Sequence, residues 1–518
     1  MQRAVWLSFL LTGLALAQGQ LSQWTPSSGE SRSAPKRSCS SLRELTGYDF
    51  SVTTAAEEEA TQRAPKYCRV RGLVRPEVEF EVALPVDWNG RLLMVGNGGY
   101  AGNNLDTPGP VGPRDEAMRL GWVFTRTNTG HDGAREPLGT FAKDRQKLID
   151  YAFRAVHVTA ETAKRVAAAY YGSRPKRSYF QGCSTGGRQA LMAAQRFPED
   201  FDGISAGAPV LDFTGTMANY VAVQQAFAKA PVSAAKMKLA GEKIYALCDP
   251  KDGVRDGVIG DPLGCGFKPA EHLPRCTGAA AAHCFSEGEI RSLEVLYGDQ
   301  TIGGKRVYPG WPVGAEAVAS NGRMGWEGWL VREGGRATQS AFSESFFRYL
   351  ADPRDSHPTL SIGGLDLDKT AGTNLTWIRS ILDATDPDLS QLRQAGGKVL
   401  LWFGLADPAL NARRAIEYYE EALKVNGAGT KDFFRFFLLP GVFHCGGGPG
   451  CDNFPHMAAL IDWVERGKAP ERLVATKGAA GTVTRSRPLC VYPAAAKYKG
   501  SGSTDDAASF DCVGPARQ

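Results

Sequence analysis

Ser178-Tyr179-Phe180-Gln181-Gly182-Cys183-Ser184-Thr185-Gly186-Gly187-Arg188-Gln189-Ala190-Leu191-Met192-Ala193-Ala194-Gln195-Arg196-Phe197 runs unbroken into Pro198. Its first four residues read as a short buried strand, and the run from Arg188 has a strongly helical composition that Pro198 stops. Between them lies a Gly-x-Ser-x-Gly turn, whose glycines tolerate the crowded backbone that exposes a serine hydroxyl at a strand-to-helix corner. A second copy, Gly203-Ile204-Ser205-Ala206-Gly207, also follows a strand-like run but continues into Ala208-Pro209-Val210, where no helix starts cleanly. Ser184 is therefore the candidate nucleophile and Ser205 is not.

Working outward, apolar strand-like runs recur at 91–95, 121–125, 202–205, 398–403 and 433–439, with helical patterns between several of them, as at 144–171 and 412–424. Alternating strands and helices predict an α/β fold, a mostly parallel sheet covered on both faces. The rhythm fails between about 211 and 395, a stretch rich in Gly, Pro and Trp that holds four cysteines. The division that follows is a first part of the core at 18–210, an inserted lid domain at 211–395 and the rest of the core at 396–518. Ligands in such sheets bind beyond the carboxyl ends of the strands, so an insertion there roofs the pocket.

A serine hydroxyl becomes a nucleophile only when a base removes its proton, and a third group must orient that base. In the α/β-hydrolase order Ser, then acid, then His, both His131 and His157 come too early, while His272, His283 and His357 fall in the lid. His444 follows the run at 433–439 and enters Gly446-Gly447-Gly448, as a base on a strand-exit loop does; His456 opens an apparent helix instead. Asp407 follows the run 399–406, from which a carboxylate reaches the next exit loop. An oxyanion hole needs backbone N–H groups: one from Thr185, the other from Gly98 or Gly99 in Gly96-Asn97-Gly98-Gly99-Tyr100, between which the sequence does not choose.

The first residues carry Arg3, an apolar run at 4–11 and the small residues Ala15-Leu16-Ala17, a cleavable leader predicted at 1–17. The expected location is secreted or periplasmic, with no membrane attachment after cleavage. Eleven cysteines in such a chain imply disulfides. Spacing suggests local pairs Cys39–Cys68, Cys248–Cys265, Cys276–Cys284 and Cys490–Cys512, with Cys451 left odd if Cys183 and Cys445, the neighbours of Ser184 and His444, pair with each other. No CxxC pair exists to hold zinc. A formal charge of +5 over 518 residues offers no basic stripe for nucleic acid.

Two further stretches carry chemistry. In Asp249-Pro250-Lys251-Asp252-Gly253-Val254-Arg255-Asp256-Gly257-Val258, three carboxylates and inward carbonyls suit a hard cation, though an Asp-Gly turn accounts for the same spacing. In the lid, Trp326, Trp329, Phe342, Phe346, Phe347 and Tyr349, with Arg332 and Arg336 among them, are expected to supply at least one wall of an acyl pocket.

Together the residues 182–188, 203–209, 404–408 and 443–448, with 249–258 and 96–102, resemble the tannase and feruloyl esterase family, which also holds the hydrolase of terephthalate monoesters. The likeness spans most of the chain, and the cysteines beside Ser184 and His444 are its most specific mark. It implies a serine carboxylesterase with an α/β-hydrolase core, a lid domain and no organic cofactor. It also implies the Cys183–Cys445 bridge and a structural Ca²⁺ on Asp249, Asp252 and Asp256 and the carbonyls of Val254 and Val258. The implied substrate is a small or polymer-linked aromatic ester, feruloyl or another hydroxycinnamoyl first, with galloyl and terephthaloyl as alternatives. A catalytically silent binding protein on this fold would be expected to lack one of Ser184, Asp407 and His444.

Overall fold

The computed structural model describes residues 23–24, 31–106, 112–278, 281–352, 357–371, 375–479 and 482–514; the leader expected at 1–17 lies outside the described residues. Nine strands form one sheet: β1 (Phe50–Glu58), β2 (Tyr67–Val74), β3 (Val78–Pro85), β4 (Arg91–Val95), β5 (Val123–Thr127), β6 (Arg177–Cys183), β7 (Gly203–Gly207), β8 (Lys398–Gly404) and β9 (Phe434–Leu439). Their spatial order is β1-β2-β3-β5-β4-β6-β7-β8-β9. From β5 to β9 every neighbour is parallel. The first three strands join antiparallel, a part of the sheet that the apolar-run reading did not foresee.

Side chains along the parallel strands alternate between two apolar layers. Leu92, Met94, Phe180, Leu401 and Phe436 enter one core. Leu93, Tyr179, Leu400, Trp402 and Phe437 enter the other. Helices α1 (Ala155–Tyr171) and α2 (Thr185–Arg196) close the first layer and α6 (His456–Arg466) the second. The near-continuous hydrophobicity of these strands follows from burial on both faces.

The helix expected at 144–171 is interrupted. A short α-helix at Arg145–Ile149, capped by the Asp144 carboxylate, gives way to a π-helical turn at Asp150–Arg154 before α1 begins. The buried Arg188 guanidinium explains what this wider turn serves, since it donates to the carbonyls of Tyr151 (3.1 Å) and Ala152 (2.8 Å). Between β7 and β8 the described residues add no strand to the nine-stranded sheet. They instead form helices, among them α3 (Phe213–Lys229) and α4 (Thr338–Tyr349), and the hairpin Gln300–Ile302 with Lys305–Tyr308. A further helix of the sheet layers, α5 (Ala412–Asn426), follows β8.

Candidate active site

Parallel strands deliver their carboxyl ends to one edge, and the candidate residues sit on the turns that leave it. β6 ends at Cys183 and α2 starts at Thr185, so Ser184 is the single residue of the corner, with φ 65° and ψ −123°. That left-handed backbone is costly for a residue with a Cβ, and the surroundings hold it. The Ser184 N–H donates to the Gly207 carbonyl (3.0 Å), and its carbonyl accepts from Arg188 (3.0 Å) and Val210 (3.3 Å). A Cβ at Gly182 would lie 2.5 Å from the Gly186 backbone, so the first glycine of the motif is required by close approach. Ser205 lies inside β7, fully buried, with its Oγ 2.9 Å from His456 Nδ1.

Asp407 stands on the turn after β8. Its side chain has no exposed surface, and one oxygen accepts from the N–H groups of Ala409 (2.8 Å) and Leu410 (2.9 Å). The other oxygen is 2.8 Å from His444 Nδ1. A carboxylate there can only accept, so the proton between them sits on Nδ1 and Nε2 is left with its lone pair. His444 comes from the loop after β9, where the Gly447 N–H donates to Asp452 (2.7 Å) and Cys445 has φ 61°. Cys183 and Cys445 are bonded, with Cα atoms 5.9 Å apart, so one bridge joins the immediate neighbours of Ser184 and His444. The other bridges are Cys39–Cys68, Cys248–Cys265, Cys276–Cys284 and Cys490–Cys512, the pairs suggested by spacing; Cys451 is buried and free.

The glycine loop after β4 lies beside the elbow. Thr185, as the first residue of α2, has an N–H with no partner inside its helix. Gly98 and Gly99 donate their N–H groups to no acceptor among the described residues. Their carbonyls do bond: Gly98 accepts from the Ala101 N–H (2.9 Å), and Gly99 from the hydroxyls of Thr185 (2.6 Å) and Tyr151 (3.1 Å), while Asn97 before them is held by Gln189 and the Thr127 carbonyl. Tyr100 ties the loop to α4 through a 2.8 Å bond from its hydroxyl to the Phe342 carbonyl. Sequence reading missed both tyrosines. Tyr100 was signalled only by its place beside the glycines, and Tyr151 by nothing local.

The aromatics expected to wall an acyl pocket divide into two groups. Trp329 is half-buried and sets its ring edge-on to His444, centroids 5.5 Å apart. Phe342, also half-buried, packs on Trp329 (6.4 Å) and Tyr100 (5.1 Å). Trp326 and Phe346 have no exposed surface and cannot line a pocket as the sequence suggested. Trp326 spends its indole N–H on Glu316 (2.7 Å), and Phe346 packs between Phe213 and Phe347. The Arg336 guanidinium is paired with Glu344 (2.7 Å), which also holds Arg348 (2.6 Å), while Arg332 lies exposed.

The loop 249–258 is stapled by the Cys248–Cys265 bridge. Its donor set is all oxygen, as a hard cation requires. Burial pushes the Asp252 carboxyl up to about 6, and the charges of Asp256 and Asp249 push the same way. Such crowding of acids is what a divalent ion would relieve. Among the described residues no three acidic, histidine or cysteine side chains converge as ligands, and Asp256 leans on Arg487 and, at 3.8 Å, on Arg485. The donor types thus fit Ca²⁺, while Asp256 is shared with the hairpin strand Thr482–Cys490. The loop also lies closer to the histidine loop than its sequence position suggests, since a Cβ at Gly441 would meet Val258 at 3.0 Å.

Comparison with known proteins adds to this geometry. Residues 61–513 match the family model described as tannase and feruloyl esterase. The chain is 32% identical to mono(2-hydroxyethyl) terephthalate hydrolase of Piscinibacter sakaiensis, over 87% of this chain and 85% of that protein. It is 30% identical to a probable feruloyl esterase B-2 of Aspergillus terreus, over 84% and 83% of the two chains. The crystal structure of feruloyl esterase B from Aspergillus oryzae superposes with a TM-score of 0.78 at 24% identity, covering 92% of this chain and 99% of that one.

Proposed function

This chain belongs to the tannase and feruloyl esterase family of carboxylic ester hydrolases, and from that premise we propose that it is an exported serine esterase releasing an aromatic acid, feruloyl or another hydroxycinnamoyl first, through an acyl-enzyme. The observation that carries this reading is the bridge between Cys183 and Cys445, which sets the Ser184 elbow against a histidine already held by Asp407 at 2.8 Å. His444 Nε2 takes the Ser184 proton as Oγ attacks the ester carbonyl. Charge on the carbonyl oxygen is met by the Thr185 N–H and that of Gly98 or Gly99. The same Nε2 proton passes to the departing alkoxide, and a water activated by His444 cleaves the acyl-enzyme. Asp407 keeps the imidazole in the required tautomer throughout. Five disulfides support export, and no described helix is long and apolar enough to cross a membrane.

For the acyl group, Trp329 and Phe342 are the flat walls that the lid offers near His444. The pairing of Arg336 with Glu344 weighs against its binding a free carboxylate and so favours feruloyl over terephthaloyl esters. Turnover on a panel of feruloyl, galloyl, terephthaloyl and acetyl esters tests both the activity and its ranking. Trp329→Ala is expected to lower kcat/KM on the aromatic esters by about 10- to 100-fold while acetyl ester turnover changes far less. Equal losses across the whole panel would take substrate selection away from the lid.

Calcium, when bound, would be held by Asp249, Asp252 and Asp256 with the carbonyls of Val254 and Val258, and it would neutralise the crowded acids and rigidify the loop. Because a ligand of the folded state stabilises by mass action, a hundredfold excess over Kd is expected to add about 3 kcal/mol, and chelation to remove it. Thermal melts with calcium and with a chelator are the check. Unchanged melting in both, with no calcium in the purified protein, would reject the site.

A further inference from the structure

Resting on the serine-esterase reading, we infer that the hydroxyls of Thr185 and Tyr151 act as a clasp on the Gly99 carbonyl, fixing the oxyanion-hole loop against the nucleophile elbow. The loop needs such a device. Its glycines give it wide conformational freedom, and a Cβ at Gly98 would meet nothing within 4 Å, so side-chain packing does not hold it there. A carbonyl oxygen offers two lone pairs, and at Gly99 both are taken, by Thr185 Oγ1 at 2.6 Å and Tyr151 Oη at 3.1 Å. A peptide turns as a rigid plane, so pinning this oxygen fixes the plane that follows Gly99. The Ala101 N–H, 2.9 Å from the Gly98 carbonyl, fixes the plane that carries the Gly99 N–H. Of the two candidate donors, the Gly99 N–H thereby acquires a set direction, with a pinned peptide plane on each side of its residue.

Thr185 plays two parts. Its N–H belongs to one half of the oxyanion hole and its side chain grips the other half, beside the two Asn97–Gln189 bonds (2.9 and 3.1 Å) that tie the start of the loop to α2. Thr185 is 2% exposed and leaves little room for slack. Tyr151 reaches the loop from the π-helical turn Asp150–Arg154. Arg188, three residues beyond Thr185 in α2, aims that turn through its bonds to the Tyr151 and Ala152 carbonyls. Nucleophile helix, π turn and oxyanion loop are thus one connected unit. Burial also pushes the Tyr151 phenol above its ordinary value, which keeps it a donor at neutral pH. Thr185 and Tyr151 are positioning residues; neither side chain touches the reacting atoms in this scheme.

The test uses the full chain with Thr185→Val, Thr185→Ser and Tyr151→Phe, a chromogenic aromatic ester, an aryl boronic acid that copies the tetrahedral intermediate, and the free aromatic acid that copies the ground state. Thr185→Val is expected to lose about 10- to 100-fold in kcat with KM within about twofold, and Tyr151→Phe about fivefold. Thr185→Ser restores the hydroxyl and keeps kcat within about threefold. Boronic acid affinity should fall in step with kcat, whereas product-acid affinity stays. Where Thr185→Val does not fold, Tyr151→Phe, which removes one buried oxygen, decides alone. Variants with wild-type kcat, or with equal losses for boronic acid and product acid, would overturn the clasp in an active enzyme. Wild-type protein that turns over no ester and takes no phosphonate label on Ser184 would instead overturn the esterase reading and the clasp with it.

Discussion

Replacing Ser184 by alanine is expected to lower kcat on an aromatic ester by about 10⁵- to 10⁶-fold while the protein stays folded, because the residual rate then rests on binding and the oxyanion hole alone. The corner at Ser184 supports this: its Oγ is the one group set by a φ of 65° between β6 and α2, on the edge that also carries Asp407 and His444. Ser205→Ala is expected to behave oppositely. Ser205 Oγ accepts from the Trp402 indole N–H (3.3 Å) and shares a hydrogen bond of 2.9 Å with His456 Nδ1. Burial pushes His456 down to about 3, so it stays neutral at working pH and cannot cycle as a general base. Removing the Ser205 hydroxyl takes the partner from two buried nitrogens, Trp402 Nε1 and His456 Nδ1, which costs about 1–3 kcal/mol of stability for each with most of the turnover kept. Steady-state rates, melting temperatures and mass analysis of phosphonate-labelled peptides separate the two serines. A dead Ser205→Ala beside an active Ser184→Ala would overturn the assignment.

What could be read before the structure follows from where information is local. Runs such as 398–403 and 433–439 are apolar on both faces because both faces are buried, and they lie within β8 and β9 to within a residue. The first two strands carry no such run, and in β3 the buried run Val82–Pro85 follows two glutamates. In β2, Tyr67–Val74, buried residues alternate with partly exposed arginines, and in β3 the fully buried Glu81 is satisfied only by Arg69, Arg114 and Arg126, brought from elsewhere. A buried carboxylate reads as a surface residue until its partners are known. The same holds at the site. Ser184, Asp407 and His444 announce themselves by the turns that bear them, whereas Tyr151 reaches Gly99 across 52 residues of sequence and a π turn that periodicity smooths into a helix. Among the lid aromatics, composition could not tell Trp326, which bonds Glu316 in the interior, from Trp329, which faces His444.

Breaking the bridge beside the site, by Cys183→Ala with Cys445→Ala, is expected to cost about 3–5 kcal/mol of stability and about 10- to 100-fold in kcat. The cysteines are 262 residues apart, so in the chain-entropy account the bond removes much of the unfolded chain's freedom, less what the two bridges nested inside that loop already remove. Its effect on rate has a separate origin. Ser184 and Cys445 both hold left-handed backbone, at φ 65° and 61°, conformations that cost of order 1–3 kcal/mol each and persist only when the surroundings enforce them. The bridge ties the two turns that bear them to each other, and in the proposed mechanism a small drift of His444 from Ser184 would be expensive. Cys490→Ala with Cys512→Ala is the matched control, since that bridge spans only 22 residues and joins β-hairpin strands of the C-terminal region. It is expected to cost about 3 kcal/mol by the same account with kcat per folded molecule unchanged. Both variants should therefore melt earlier, and only the first should turn over slowly at a temperature where both are folded. Peptide mapping of the unreduced protein must find Cys183 linked to Cys445. A first variant with wild-type kcat would show that the elbow and the histidine loop hold their geometry without the bond, and its place beside the triad would then be a matter of stability alone.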